Sequence, residues 1–420
     1  MKKIFSLYIL IFSLAIYAQT DYSASWEDFY SYNNVKDFTK VENVIYALAD
    51  NAIFTYDVTS GEINKLSSVQ GLSGETTTAI YYNKEFKKLV IGYENGLLEV
   101  VDDDGSITIS SDIVNFNQSG EKSINHISAF KNKLYLSTPF AVVVYDIEKL
   151  EFGDTFFIGN NSSSIEVNET IVSNNVIYAA TETGIFKADV TNKLLIDFNN
   201  WEQPIKDRNF KNIAFLNSLY VTEGSELFAF DGDILGNEIN FDEEIKSIKA
   251  STTHLSISLN KKVVVLDTSM NEVGLFSAST ALDYSLNNAF FENDTCFLAT
   301  KNFGILAVTL DASDTYLEIH PEGPLSNNVF SIAANNTNLW VVYGGYNDVF
   351  GSNFNKQGFS HFNGENWINT KYNPAFPIKD LSHITIDTNA ENKVYISSLG
   401  DTRSVNSVST GGILVVENDE

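Results

Sequence analysis

The chain has 420 residues, of which 44% are hydrophobic and 19% charged, a composition typical of folded globular proteins and unlike that of disordered ones. With 27 basic against 54 acidic side chains, the formal net charge is −27. Phosphate backbones and anionic bilayers repel such a surface, so the charge argues against nucleic acid as a partner. The length predicts one large or two smaller folded units.

The N-terminus has the pattern of a secretory signal peptide over residues 1–18. Lys2 and Lys3 give a positive start, residues 4–17 form an apolar core, and Ala18 ends a cleavage site. This core is too short for a spanning helix, and no later stretch reaches the roughly 18 apolar residues that a membrane helix needs. We therefore expect an exported protein of the periplasm or cell surface, without a membrane span.

A motif returns about every 40 residues along the rest of the chain. Each copy has a short apolar run ending in a small residue, a polar turn, and a second apolar run. The copies start at residues 45, 89, 134, 177, 219, 255, 296, 339 and 394. β-Rich units with this period predict an all-β protein built as a β-propeller, in which each unit is one blade.

The second copy shows the expected blade most clearly. Strands are predicted at 78–82, 89–92, 97–101 and 106–110, separated by polar turns. Gly96 lies in the tight turn before the third strand, where a positive φ is needed. Four strands joined by hairpins make one blade.

Seven copies, from 45 to 296, suffice to close one ring, so we predict a seven-bladed β-propeller over residues 19–320. Residues 25–30 or 35–41 are the candidates for a strand that completes the last blade. A Pro/Gly cluster at 320–324 marks the predicted boundary.

Residues 321–420 are predicted to begin a second, incomplete β-propeller. They contain only two copies of the motif, separated by a long insertion between 343 and 390. Two blades cannot close a ring, because each blade buries its faces only against its neighbours. We therefore expect residues 22–320 to fold alone and residues 321–420 not to, and the sequence to be a piece of a longer chain.

No catalytic, metal-binding or cofactor-binding residue is predicted. The five histidines have no metal-ligand spacing, and His126 and His254 are expected to be structural. Cys296, the single cysteine, is expected to be a small buried hydrophobe. The acidic runs at 102–105 and 231–233 favour turns over calcium loops, because the spaced ligands of a calcium loop are missing. A triad assembled in space stays open, but the sequence nominates none.

Two stretches carry a family resemblance. Residues 71–82 (GLSGETTTAIYY), leading to 89–97 (LVIGYENGL), resemble the propeller repeat of two-component-regulator sensors. Residues 323–333 (GPLSNNVFSIA), leading to 339–341 (LWV), resemble it too. Together with the signal peptide and the irregular first seven repeats, the chain resembles the PorZ family of type IX secretion-system propeller proteins.

The resemblance implies two consecutive seven-bladed propellers and a C-terminal β-sandwich, of which this sequence shows the first ring and two further blades. It also implies a non-catalytic accessory role: such a protein works with a sortase-type secretion-system protein and binds anionic lipopolysaccharide. One alternative is the sensory propeller ectodomain of a truncated two-component hybrid histidine kinase. Another is a propeller enzyme, which would need carboxylates that converge on the central channel.

Overall fold

The structure, a computed structural model, describes residues 26–335, 337–375, 377–390, 393–401 and 411–419. These residues form eight four-stranded sheets and one three-stranded sheet, all antiparallel. Within each sheet the strands lie side by side in chain order, so each sheet is a meander of hairpins. The predicted all-β class is confirmed. The predicted signal peptide at 1–18 lies outside the described residues.

The strands of the first four sheets are β1 Asp37–Val41, β2 Val44–Leu48, β3 Ile53–Asp57 and β4 Ile63–Leu66; β5 Thr77–Asn83, β6 Lys88–Tyr93, β7 Leu98–Val101 and β8 Ile107–Ser110; β9 His126–Phe130, β10 Lys133–Ser137, β11 Val142–Asp146 and β12 Glu151–Phe156; and β13 Val167–Ser173, β14 Val176–Thr181, β15 Gly184–Asp189 and β16 Glu202–Lys206. One short α-helix, α1 (Asp112–Asn115), follows the second sheet. Single 3₁₀ turns are formed by Ser68–Gln70, Asn160–Ser162, Phe198–Asn200 and Leu310–Ala312.

The strands of sheets five to nine are β17 Asn212–Phe215, β18 Leu219–Glu223, β19 Glu226–Phe230 and β20 Leu235–Asn240; β21 Ser247–Ala250, β22 His254–Ser258, β23 Lys262–Asp267 and β24 Glu272–Ser277; β25 Leu286–Glu292, β26 Thr295–Thr300, β27 Ile305–Thr309 and β28 Leu317–Ile319; β29 Ser331–Ala334, β30 Leu339–Val342, β31 Phe359–Phe362 and β32 Trp367–Thr370; and β33 Ile378–Ile386, β34 Lys393–Asp401 and β35 Gly412–Glu417. Across these described ranges, no helix is both long and apolar enough to cross a bilayer.

Each of the nine sequence repeats corresponds to one sheet. Every predicted start lies in the second strand of its sheet, from residue 45 in β2 to residue 394 in β34. The four strands predicted for the second copy are confirmed as β5 to β8, within about one residue at each end. The turn before β7 contains Gly96 at φ 88°, a left-handed conformation in which glycine carries no steric penalty.

The first seven sheets pack against one another in sequence, and the seventh packs against the first. A separate apolar cluster fills each of the seven contacts between neighbours. Phe54 of the first sheet shares its cluster with Phe297 and Ile305 of the seventh. Burial of both faces explains why the middle strands read as nearly continuous apolar runs. This arrangement is consistent with a β-propeller.

The contact between the first and seventh sheets forms without strand exchange. β25 to β28 complete the seventh sheet from consecutive residues, and Asp37–Val41 is the innermost strand of the first sheet. The predicted closing strand from 25–30 or 35–41 is therefore wrong. Instead, the Val35 N–H donates to the Thr300 carbonyl at 2.9 Å, and the Gly304 N–H donates to the Asn33 carbonyl at 2.8 Å.

A repeated side-chain hydrogen bond links the innermost strands from sheet to sheet. In each case a side chain near the start of one inner strand donates to a backbone carbonyl. That carbonyl belongs to a residue near the start of the inner strand in the next sheet. The bonds are Lys36 Nζ to Thr77 O (2.9 Å), Thr78 Oγ1 to Ile124 O (2.8 Å), Asn125 Nδ2 to Val167 O (2.9 Å), Asn168 Nδ2 to Phe210 O (2.8 Å) and Asn287 Nδ2 to Val35 O (2.7 Å). The last of these joins the seventh sheet to the first.

The eighth and ninth sheets pack on each other through Trp340 and Ile396. The prediction of an insertion between 343 and 390 is wrong, because this stretch contains three strands of the two sheets, β31, β32 and β33. Only residues 343–358 form a long connection inside the eighth sheet. This pair of sheets leaves large apolar side chains exposed: Ile332 at 60%, Val349 at 81%, Phe350 at 76%, Ile413 at 70% and Val415 at 47%.

The Pro/Gly cluster at 320–324 is packed rather than an exposed linker. Pro321, Gly323 and Pro324 are buried. A Cβ on Gly323 would lie 2.4 Å from the Tyr30 carbonyl oxygen, so only glycine fits there. The segment before β1 thus lies against the start of the eighth sheet.

Candidate functional site: the central channel

The seven innermost strands, β1, β5, β9, β13, β17, β21 and β25, surround a channel of about 600 Å³. Because an inner strand contributes only a few side chains, the channel wall combines residues that are about 40 positions apart in sequence. Charged and titratable side chains reach it from four of these strands or the residues just before them: Lys36, Asp37, Lys40, His126, Glu169, Lys246 and Lys249.

Asp37 and Lys249 form an ion pair on the channel wall. The Lys249 ammonium also donates to the Phe38 carbonyl at 2.6 Å and lies 4.8 Å from the centroid of the Phe38 ring. The Asp37 carboxylate also accepts hydrogen bonds from the Phe38 N–H at 2.7 Å and from Asn288 Nδ2 at 2.9 Å. These contacts join the first, sixth and seventh sheets, and they leave both charges compensated.

His126 begins β9 and faces the channel. Burial lowers the pKa of His126 to about 4; the negative charge of Asp37 opposes this shift and the positive charge of Lys249 adds to it. The ring is therefore neutral at pH 7. Its Nδ1 is buried and has no hydrogen-bond partner among the described residues. Inner-strand geometry turns His126 into the channel, a position that its sequence surroundings did not indicate.

Glu169 lies on β13, in the fourth sheet. Burial raises the pKa of Glu169 to about 8, although the Ile213 N–H donates to its Oε2 at 2.8 Å and opposes the shift. Asp37 raises this pKa further and Lys249 lowers it. The side chain is therefore mostly protonated at neutral pH and can donate a hydrogen bond. Two carboxyl groups thus converge on the channel: Asp37, which pairs with Lys249, and Glu169.

The channel also concentrates hydrogen-bonding atoms that lack partners. Four buried side-chain polar atoms in the described part of the chain have none: His126 Nδ1, Ser247 Oγ, Ser258 Oγ and Asn288 Oδ1. Three of the four belong to residues that line the channel. The sequence could not have revealed this set, because Ser247 and Asn288 belong to no motif. Their shared position near the start of an inner strand was the available signal.

A second cavity, of about 650 Å³, lies at the junction between the first seven sheets and the eighth. Its lining includes three lysines, Lys301, Lys356 and Lys371. None of them forms a salt bridge with another described residue. The Lys371 ammonium lies 4.6 Å from the centroid of the Phe303 ring. The two carboxylates of this cavity are already paired, Asp50 with Lys36 and Asp283 with Lys261. The cavity therefore presents three lysine ammonium groups that form no salt bridge within the described residues.

The remaining sequence candidates have structural surroundings. Cys296 is fully buried in β26, and burial raises the pKa of its thiol, which disfavours the nucleophilic thiolate. His254 bonds to Thr253 Oγ1 at 2.9 Å and packs edge-on against Phe291. Both acidic runs form turns, as predicted: the Gly105 N–H donates to the Asp102 carbonyl at 2.9 Å, and the Asp233 N–H donates to Asp231 Oδ1 at 2.9 Å.

Of the other histidines, His361 is buried between partners. It bonds to Asp419 Oδ1 at 2.6 Å and to Asn338 Oδ1 at 2.8 Å, and it stacks on Trp340. His320 bonds to Glu318 Oε1 at 3.0 Å, and His383 is exposed on β33. Among the residues that the structure describes, no group of three or more His, Cys, Asp or Glu side chains could hold a metal ion.

The sheets, their ring-like contacts and the channel define a protein of the β-propeller class. The family model of the type IX secretion-system protein PorZ, N-terminal β-propeller domain, matches residues 45–202. This stretch, which runs from the first to the fourth sheet, is similar to the PorZ N-terminal β-propeller domain. No curated protein matches the chain by sequence.

One solved structure is similar in fold, and a second matches only weakly. PorZ of Porphyromonas gingivalis, described as an essential bacterial surface component of the type IX secretion system, matches with a TM-score of 0.75 and 14% identity, over 94% of this chain and 52% of that one. The chain thus spans about half the length of the PorZ structure. A chain of the mitotic checkpoint complex matches at a TM-score of 0.46 and 10% identity, over 70% of this chain and 94% of that one, too weakly to carry an argument.

Proposed function

We propose that this chain is an exported, surface-located accessory component of the type IX secretion system. In this role it catalyses no reaction itself and supports the processing and attachment of secreted cargo. The observation that carries the proposal is the match of residues 45–202 to the model of the PorZ propeller family, supported by a PorZ-like fold over 94% of the chain. The partners proposed are a sortase-type secretion-system protein and anionic lipopolysaccharide.

Loss of the chain from its native bacterium tests the role as a whole. Without it, cargo proteins should keep their C-terminal export signal and should not become attached at the cell surface. Re-expression of the full-length gene should restore both. Cargo that is processed and attached normally in the deletion strain would contradict the proposal.

The junction cavity supports the lipopolysaccharide part of the proposal. Lys301, Lys356 and Lys371 carry positive charge with no carboxylate partner in the described residues, so an anionic glycan can bind there without displacing an existing salt bridge. An overall charge of −27 would otherwise repel such a ligand.

Charge reversal at this cavity should abolish most of the binding to anionic lipopolysaccharide. We expect the triple variant K301E/K356E/K371E to bind at least about tenfold more weakly, because it replaces three attractive charges by three repulsive ones. Surface plasmon resonance on immobilised anionic lipopolysaccharide at two salt concentrations measures the loss.

A matched triple variant, K133E/K193E/K206E, reverses three exposed lysines outside the cavity and makes the same change in net charge. It should retain nearly all of the binding. An equal loss in both triple variants would show that net charge, rather than the junction cavity, determines the interaction.

We further propose the domain organisation that the repeats predict. Residues 19–320 form a seven-bladed β-propeller, and residues 321–420 begin a second one. Seven apolar clusters between neighbouring sheets support the first ring. Exposed Ile332 and Ile413 support the second part, since blades of an open ring leave apolar faces without a neighbour.

Expression of fragments tests this organisation. We expect residues 26–320 to give a cooperatively unfolding, protease-resistant protein, and residues 321–420 alone to be degraded or to aggregate. Far-UV circular dichroism and limited trypsin digestion would measure this. If digestion of the whole chain yields a single stable core of all 420 residues, the two-unit organisation is wrong.

A further inference from the structure

The channel has unused hydrogen-bonding capacity at fixed positions. Asn288 is 4% exposed, and its Nδ2 donates to the Lys36 carbonyl at 3.0 Å and to Asp37 Oδ1 at 2.9 Å. These two acceptors fix the orientation of the amide and leave Oδ1 as an acceptor with no donor. Ser247 Oγ and His126 Nδ1 are also buried and without partners.

Such groups are costly when they stay unpaired. A buried polar group without a partner destabilises a fold by about 1–3 kcal/mol. Most buried polar atoms in native proteins are hydrogen-bonded, so an unpaired group calls for a specific explanation. Three of them in one channel point to a bound species that supplies the missing bonds.

The charges of the channel favour a neutral species. Each of its four lysines already has a carboxylate partner: Lys36 has Asp50, Lys40 has Glu292, Lys246 has Glu244 and Lys249 has Asp37. The remaining channel carboxyl group, on Glu169, is mostly protonated at neutral pH. This wall therefore differs from that of the junction cavity, where lysines lack carboxylate partners.

The polar atoms without partners also have mixed requirements. Asn288 Oδ1 needs a donor, whereas the Ser247 hydroxyl and a neutral His126 ring can each donate or accept. A ligand rich in hydroxyl groups meets all of these needs. The channel also offers an apolar surface at Phe215, whose side chain is 41% exposed and lines the wall. A polyhydroxylated ring has both kinds of surface.

We propose that the central channel is a binding site for a small, neutral, polyhydroxylated ligand of the sugar class. Asn288, Ser247 and His126 bind its hydroxyl groups, and Phe215 contacts its apolar face. A channel of about 600 Å³ lies within the 300–1,000 Å³ range of small-molecule sites and has room for one or two sugar rings. This site is separate from the lysine-lined junction cavity proposed for lipopolysaccharide.

Saturation-transfer NMR on the full chain tests the proposal, with glucose, N-acetylglucosamine and maltose as probes. We expect transfer from the protein to at least one of the three, and calorimetry then gives its affinity. The variants Ser247→Ala and Phe215→Ala should each lower that affinity about five- to tenfold. Neither variant removes a hydrogen bond found in the described structure, so both should fold.

Ser258→Ala is the matched control, because Ser258 Oγ is also buried and unpartnered but does not line the channel. It should bind the sugar as the unaltered chain does. Absence of transfer to all three probes would overturn the proposal, and so would an equal loss of affinity in Ser247→Ala and Ser258→Ala. Lipopolysaccharide binding should be unchanged in Ser247→Ala, so the two proposals can fail independently.

Discussion

Replacing Phe54 by alanine should lower the free energy of unfolding by about 3–5 kcal/mol, the usual cost of truncating a fully buried phenylalanine. Phe54 is 0% exposed and belongs to the cluster that joins the first sheet to the seventh. Its ring also packs edge-on against Tyr32, with 5.9 Å between centroids. Urea unfolding followed by tryptophan fluorescence measures the change.

The position of Phe54 adds a second expected result. Since this contact joins the first sheet to the seventh, a cavity there should also increase backbone hydrogen exchange in β1 and in β26. Phe350→Ala is the matched control, because that side chain is 76% exposed; it should change stability by less than about 0.5 kcal/mol. Equal losses in the two variants would contradict the packing described for the first and seventh sheets.

Changing Glu169 to glutamine should make the protein markedly more stable at alkaline pH. Burial raises the pKa of Glu169 from its ordinary 4.5 to about 8. The folded state therefore holds a proton that the unfolded state has lost over this interval. The stability contributed by the protonated side chain is fully present below pH 4.5 and is lost as the pH rises through 8, by about 2–4 kcal/mol.

Glutamine is neutral at every pH, and its side-chain oxygen can still accept the Ile213 N–H. The stability of the Glu169→Gln variant should therefore match that of the unaltered chain near pH 5 and exceed it by about 2–4 kcal/mol at pH 9. Urea midpoints measured from pH 5 to 9 provide the test. Glu272→Gln, at an exposed position, should track the unaltered chain. If stability depends on pH in the same way in all three proteins, the pKa of Glu169 is not raised in the folded state.

Much of the fold could be predicted because strand content and repeat period are local properties. The nine repeat starts, from residue 45 to residue 394, each lie in the second strand of a sheet. The hairpin around Gly96 was predictable for the same reason, since turn chemistry depends on a few adjacent residues. Two predictions failed, the closing strand at 25–30 or 35–41 and the insertion at 343–390. Both depended on how a strand pairs with distant residues.

The candidate sites were not predictable, because their members belong to different repeats. Asp37 and Lys249 are 212 residues apart, yet they form an ion pair on the channel wall. The sequence around His126 is that of an ordinary strand. Only the arrangement of the inner strands places its side chain in the same channel as Asp37 and Glu169. The three lysines of the junction cavity likewise come from separate connections.

The sequence by itself determined an acidic, all-β chain of nine repeats, each of which forms a sheet of three or four strands. This was possible because apolar alternation and turn residues act over a few positions. The tertiary structure alone decided which residues meet. Packing the sheets face to face aligns one inner strand from each of seven repeats around a common axis. Residues that share no local motif, such as Ser247 and Asn288, thereby acquire a common environment, and their unpaired polar atoms define the channel.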